Sequence, residues 1–254
     1  MQTFDVIDAH VHCGMQDRSP PQDFESYVGM IAGGPIRSAV MFAPVGEIYD
    51  RWDPQFTDNP AWQARRKAAN AYLLHIGDHR LQVIPYFFIW NDFAVEDLSP
   101  EYQGIKWHRH ANEPHYEYTS PRCHLAISEI RRRNLPVVLE EELTHTLRFL
   151  DEWAPGVRVI IPHLGALNGG YRALKDRGVW SRPHVWADTA LADTAVIRDY
   201  IHSFGHQRLL FGSDFPFGDP LRELEKIRRL DLPPEVERAI LRDNLLRMLS
   251  ENRP

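Results

Sequence analysis

A chain of 254 residues, 43% hydrophobic and 25% charged, carries enough apolar surface for a full core, and at this length one α/β barrel fits as well as two small domains. Its 29 basic and 35 acidic residues leave a formal charge of −6, so no basic excess meets a phosphate backbone, which argues against nucleic acid as the main partner. Cys13 and Cys123 are too few for a disulfide framework, no apolar run approaches a membrane span, and the first residues lack the basic start and apolar stretch of a signal peptide; the expectation is a cytoplasmic protein in a reducing compartment.

Along the chain, apolar runs suited to strands alternate with stretches of helical period. The first run is "FDVIDAHV", where His10 and His12 lie two residues apart. Residues i and i+2 of a strand point to one side, so both imidazoles face one centre, a geometry that a divalent cation can use. Phe24, Tyr27, Val28 and Ile31 then fit one helical face before the second run, 36–44. Trp62, Ala69, Tyr72, Leu73 and Ile76 fit another before the third run, 81–90. Only 91–102 separates that run from the fourth, 103–110, too short for a full helix with its turns. Ser120-Pro121 opens a helix that ends in cationic "RRRN", and the fifth run follows at 135–140. The sixth and seventh lie at 157–163 and 184–190. Val196, Ile197, Tyr200, Ile201 and Phe204 form a helical face before the eighth, 208–214.

Near-continuous apolar character in these runs suits strands covered on both faces, as in a parallel sheet. Eight βα units without a linker or repeat predict one (β/α)8 barrel over 1–254, with a reduced third unit. A doubly wound open sheet is the alternative, but no Gly-rich phosphate fingerprint follows the first strand.

Polar residues gather at the strand ends. His10 and His12 end the first, Lys106, His108 and His110 the fourth, Glu140 the fifth, His163 the sixth, Asp188 the seventh and Asp214 the eighth. In a barrel these ends share one mouth, where catalysis is built. Blander readings exist for each. An H-x-H can be an ordinary strand, His163 a satisfied turn residue, Asp214 a helix N-cap, and Lys106 and His108 mere rim residues. Glu141 and Glu142 read as an exposed helix start. His75, His79, His124, His145, His202 and His206 sit in helical or loop segments and are assigned no chemistry, and the aromatics of "YFFIW" read as core.

"IDAHVH", "GIKWH", "LPVVLE", "IIPHLG", "VWADTA" and "LLFGSDFPF" resemble, in order and spacing, the strand-end motifs of the amidohydrolase superfamily. The nearest branch is the amidohydrolase-related group that includes aminocarboxymuconate-semialdehyde decarboxylase. The resemblance runs from Asp5 to the helix at 242–249. It implies that His10 and His12 are metal ligands, and that Asp214 binds the metal and can take a proton from the attacking water. It implies that His163 polarises the substrate, transfers a proton or holds a second metal, and that Lys106 and His108 face the substrate. The fifth strand departs from the pattern, because the branch carries a histidine four residues after the proline where this chain has Pro136 and then Glu140. The expectation is a carboxylate ligand there, which makes the centre less positive and its water less acidic.

The expected ligand set is therefore His10, His12, Glu140 and Asp214, holding one divalent cation in preference to two. Zn²⁺ suits imidazole and carboxylate best, with Mn²⁺ or Fe²⁺ also fitting. Glu140 bridging two cations, with His163 on the second, and a modified Lys106 are the alternatives. The expected function is a metal-dependent hydrolase of a small carboxylate, lactone or amide, with Asp214 and His163 catalytic and Lys106 and His108, alongside Arg109 and His110, meeting the substrate. Arg109 can equally point outward, since it alternates with its neighbours. Non-oxidative decarboxylation is the runner-up, and a binding barrel that has lost catalysis is the third reading. The family also makes a homodimer an expectation.

Overall fold

Residues 4–15 and 20–250 are described by a computed structural model. Eight parallel strands pair in chain order: β1 (Val6–His12), β2 (Ile36–Phe42), β3 (Gln82–Phe88), β4 (Gly104–His108), β5 (Val137–Glu140), β6 (Val159–Ile161), β7 (Val185–Asp188) and β8 (Leu209–Leu210). The segment after β8 closes the ring on β1, with Ala9 N donating to Phe211 O at 2.8 Å, Asp214 N to His10 O at 2.8 Å and His12 N to Phe215 O at 2.9 Å. Buried Asp8 pins this seam, accepting from Ser213 N at 2.9 Å and from the Tyr27 hydroxyl at 2.9 Å. The architecture is the (β/α)8 barrel expected from the alternating runs.

The helices start where the sequence offers caps. Asp23 accepts from Ser26 N ahead of α1 (Phe24–Met30). Asn59 accepts from Ala61 N and Trp62 N ahead of α2 (Pro60–Tyr72), and Ser120 from Cys123 N ahead of α3 (Pro121–Arg132). After α4 (Leu143–Arg148), α5 (Tyr171–Asp176) and α6 (Thr194–Phe204), Asp219 caps α7 (Pro220–Arg228). The third unit has only a short turn, Val95–Asp97, because twelve residues from Asn91 to Tyr102 leave no room for a helix and two connections. α8 (Pro234–Arg238) and α9 (Asn244–Ser250) follow.

Strand alternation divides the core into two layers. Ile7, Ala9, Val40, Phe42, Ile84, Tyr86, Val138, Ile160, Trp186 and Leu210 fill the ring, and α9 adds Leu245 and Met248 to this inner cluster. Val6, Met41, Ile105, Trp107, Val137, Val159, Val185 and Leu209 belong instead to the larger cluster shared with the surrounding helices. "YFFIW" is core as expected, all five residues being buried. Cys13 and Cys123 are free and buried. Among the described residues no helix is long and apolar enough to cross a membrane.

Candidate active site

Toward the C-terminal ends of the strands, the inward positions turn from apolar to polar. On β5, Val138 is followed by Glu140, and on β7 Trp186 by Asp188, while Lys106 and His108 occupy the alternate positions to Ile105 and Trp107 on β4. β1 needs a further device. Ile7 and Ala9 pack in the ring interior, so strict alternation would turn His10 and His12 outward. Between Asp8, paired with Ala39, and Val11, paired with Met41, the strand carries one extra residue relative to β2. This bulge re-aims the histidines into the mouth.

One side of the mouth gathers four residues, two from β1 and two from the segments just after β6 and β8. His10 Nε2 and His12 Nε2 each stand 3.3 Å from Asp214 Oδ1, and His163 Nε2 is 4.0 Å from Asp214 Oδ2. Asp188 organises them from behind. Its Oδ2 lies 2.8 Å from His10 Nδ1, and its Oδ1 accepts from the backbone N–H groups of His163 at 2.9 Å and Ala190 at 3.1 Å. His163 Nδ1 in turn lies 3.1 Å from the Ala190 carbonyl. Both His163 (φ 55°) and Asp214 (φ 57°) occupy the left-handed region that non-glycine residues rarely adopt, and backbone hydrogen bonds hold them there. Gly212 is required by the same crowding, since a Cβ there would stand 2.9 Å from the His10 Cβ.

These bonds place the ring protons. An ionised Asp188 and a backbone carbonyl only accept, so His10 and His163 carry protons on Nδ1 and turn their Nε2 atoms toward the Asp214 carboxylate. Several acceptors converging on one point in a buried pocket is the donor set of a cation, and the residues therefore fit the divalent metal expected for the fold. His10, His163 and Asp214 form such a ligand group on distance alone.

The electrostatics agree. Burial pushes His12 down to about 4, against the pull of Asp214, so it stays neutral and ready to ligate. Burial would also raise Asp214, yet His12, His10 and His163 hold it down to about 2. For His163 burial is outweighed by the Glu140, Asp188 and Asp214 carboxylates, which raise it to about 9.

The other side of the mouth comes from β4, β5 and the loop after β2. Glu140 meets Lys106 Nζ at 3.0 Å through Oε2, and His108 Nε2 at 2.9 Å and His110 Nε2 at 2.7 Å through Oε1. Burial alone would raise this carboxyl, but His108 and Lys106 hold it well below the usual range. Lys106 joins the two sides, its Nζ lying 3.4 Å from His10 Nε2 and 4.4 Å from the centre of the Phe42 ring. Behind the histidines, the Tyr49 hydroxyl lies 3.2 Å from His108 Nδ1, and Arg51 lies 2.9 Å from His110 Nδ1. Glu113 takes hydrogen bonds from Tyr49 at 2.6 Å, Arg51 Nε at 2.6 Å and His110 N at 2.9 Å.

Of the residues singled out in the sequence, His10, His12, His163 and Asp214 meet on one side, while His108, His110 and Glu140 meet on the other. Glu141 corrects the sequence reading. It is fully buried rather than an exposed helix start, and it accepts from Arg109 at 2.8 Å and the Tyr118 hydroxyl at 2.9 Å. The reason is alternation after β5: Glu140 faces in, so Glu141 faces the outer layer, where Arg109 also points and is itself fully buried. Glu142 remains partly exposed. Sequence reasoning gave Asp188 no role, although its place at a strand end was a usable signal. Tyr49, Arg51 and Glu113 carried none, because they lie in loops and reach the site only through the fold.

A closed barrel whose strand ends converge histidines and carboxylates is an enzyme architecture, and the family comparison agrees. The amidohydrolase family model matches residues 7–250, and the chain belongs to that family. Among solved structures it is similar to 2,6-dihydroxybenzoate decarboxylase complexed with 2,6-dihydroxybenzoate, at 13% identity over 98% of this chain and 100% of that one, with a TM-score of 0.79. A dihydroxybenzoic acid decarboxylase from Polaromonas sp. JS666 with bound manganese is similar at 13% identity, 99% and 98% coverage and a TM-score of 0.76. A putative 2-pyrone-4,6-dicarboxylic acid hydrolase from Pseudomonas putida is similar at 15% identity, 98% coverage of both chains and a TM-score of 0.67. At these identities the likeness is one of fold. No curated protein sequence matches the chain.

Proposed function

We propose that the protein is a metal-dependent hydrolase of a small carboxylate, lactone or amide. The observation that carries this is the convergence of the His10, His12 and His163 Nε2 atoms on the Asp214 carboxylate. His10, His12 and Asp214, with His163 beside them, would hold one divalent cation, Zn²⁺ or Mn²⁺ suiting the set. When bound, such a cation supplies Lewis acidity and lowers the pKa of water. Asp214, kept ionised at neutral pH, accepts the proton of the attacking water. Lys106, held beside His10, stabilises negative charge that develops on the substrate oxygen. His108 and Lys106 orient the substrate, and His163 polarises it or returns the proton to the leaving group.

Decarboxylation on the same scaffold is the second reading. It is favoured by the fully buried Lys106 ammonium, a ready partner for a substrate carboxylate, and by the decarboxylases of like fold. Product analysis separates the two: carbon dioxide without incorporated water marks decarboxylation. For either reaction, Asp214→Asn is expected to cut kcat by about 10²–10⁴-fold with an unchanged circular dichroism spectrum. Full activity in that variant would remove Asp214 from the chemistry.

A further inference from the structure

We propose that Glu140 is a positioning residue for a substrate-facing triad on and just after β4, Lys106, His108 and His110, and not a ligand of the cation assigned to His10, His12 and Asp214. The proposal rests on the functional reading above.

Glu140 already meets three side chains of the β4 side. Oε2 takes the Lys106 ammonium at 3.0 Å, and Oε1 meets His108 Nε2 at 2.9 Å and His110 Nε2 at 2.7 Å. Its approach to the opposite side is the 3.7 Å contact with His163 Nε2. The side chain is 4% exposed, so no water competes freely for these positions.

The grouping of His108, His110 and Glu140 also has the spacing of a metal site, but the His110 proton says otherwise. A guanidinium only donates, so Arg51 at 2.9 Å from His110 Nδ1 makes that nitrogen the acceptor. The His110 proton then sits on Nε2 and is donated to Glu140, which leaves no lone pair there for a cation. Arg51 cannot turn away cheaply, because Glu113 holds its Nε at 2.6 Å. Glu113 also takes the Tyr49 proton at 2.6 Å, so the Tyr49 oxygen receives His108 Nδ1–H at 3.2 Å. Two cations, Arg51 and Lys106, flank the group and repel a third. Glu113, Tyr49 and Arg51 thus hold the two rings from behind, and Glu140 holds His110 from the front, with His108 Nε2 packed 2.9 Å from Oε1.

Two consequences follow. Glu140 holds the Lys106 ammonium 3.4 Å from His10 Nε2, at the boundary between the cation centre and the substrate side. Asp214 is then the one carboxylate on the cation, which keeps the centre net positive and a stronger acidifier of water than a two-carboxylate site. His110 is the outer end of the network, with 36% of its side chain exposed where it lines a cleft of about 690 Å³ together with Arg51, Trp52, Leu143 and Leu167. Substrate entering through that cleft meets the triad first.

The test measures Zn²⁺ and Mn²⁺ binding to the whole protein, and histidine ring tautomers by ¹⁵N NMR with and without metal. Glu140→Gln is expected to keep the parent Kd for either metal within about threefold and one ion per chain, whereas Asp214→Asn loses tenfold or more. His110 is expected to carry its proton on Nε2 in the parent, and Arg51→Met is expected to convert it to a mixture of tautomers without altering the metal Kd. If Glu140→Gln fails to fold, Glu140→Asp gives the same comparison. Loss of metal by the Glu140 variant equal to that of Asp214→Asn would overturn the proposal. So would a second bound ion that disappears in His110→Ala, or a His110 ring protonated on Nδ1. A parent protein that binds neither metal would sink the functional reading instead, and the His110 tautomer of the metal-free protein still decides the positioning claim.

Discussion

On the β1, β6 and β8 side of the mouth, Asp188 and the Ala190 carbonyl orient His10 and His163 so that their Nε2 atoms point at one carboxylate. On the β4–β5 side, Arg51 and Glu140 orient His110 by hydrogen bonds to both of its nitrogens, and Tyr49 holds His108 at Nδ1. Both sides combine imidazoles with a carboxylate at similar distances. The difference lies in what stands behind the rings. Acceptors behind a histidine free its far nitrogen for a cation, whereas a cationic donor behind it forces a proton onto that nitrogen. Residue type and spacing alone do not separate a metal centre from a hydrogen-bonded cluster.

The strongest way to break the contrast is to remove the buried pair that backs the β4–β5 side. Arg109→Ala leaves Glu141 charged or half-satisfied in the outer layer, and a loss of about 3–5 kcal/mol in urea unfolding is expected, with metal content unchanged in whatever remains folded. Asp188→Asn attacks the other side. Its amide N–H can face His10 Nδ1 and drive the proton to Nε2, so metal affinity is expected to fall about 10–100-fold in a titration with Zn²⁺.

Acidity sharpens the same contrast. In the metal-free protein His163 is raised to about 9, so a cation held beside it by His10, His12 and Asp214 drives off its proton. Metal affinity is then expected to rise about tenfold per pH unit up to that value, with close to one proton released in calorimetry across buffers of different ionisation heat. The sign for folding is opposite. A histidine raised from 6.5 to about 9 stabilises the metal-free fold below 6.5, and that gain is lost as pH rises through 9. The smallest effect is expected at Phe217, 50% exposed with its ring 5.6 Å from that of His12. Phe217→Ala should change stability by less than about 1 kcal/mol and leave metal content intact.

Much of the fold was legible because its signals are local. Continuous apolar runs, capped helices and the missing third helix each follow from a few neighbouring residues, and together they predict the barrel. The strand-end residues could be named for a similar reason: in a parallel barrel every strand delivers its last inward side chain to one mouth. Glu141 marks the limit. Its burial follows from a one-residue alternation after β5 and from Arg109 and Tyr118, which the chain brings to it from 32 and 23 residues away.

By itself, then, the sequence determined the architecture, the family and the roster of side chains at the barrel mouth, because periodicity and strand order are properties of short segments and their sequence. The tertiary structure alone decided which histidines have a free lone pair. That depends on the bulge in β1, on Asp188 behind His10 and on Arg51 behind His110, contacts between distant segments that set where each proton sits.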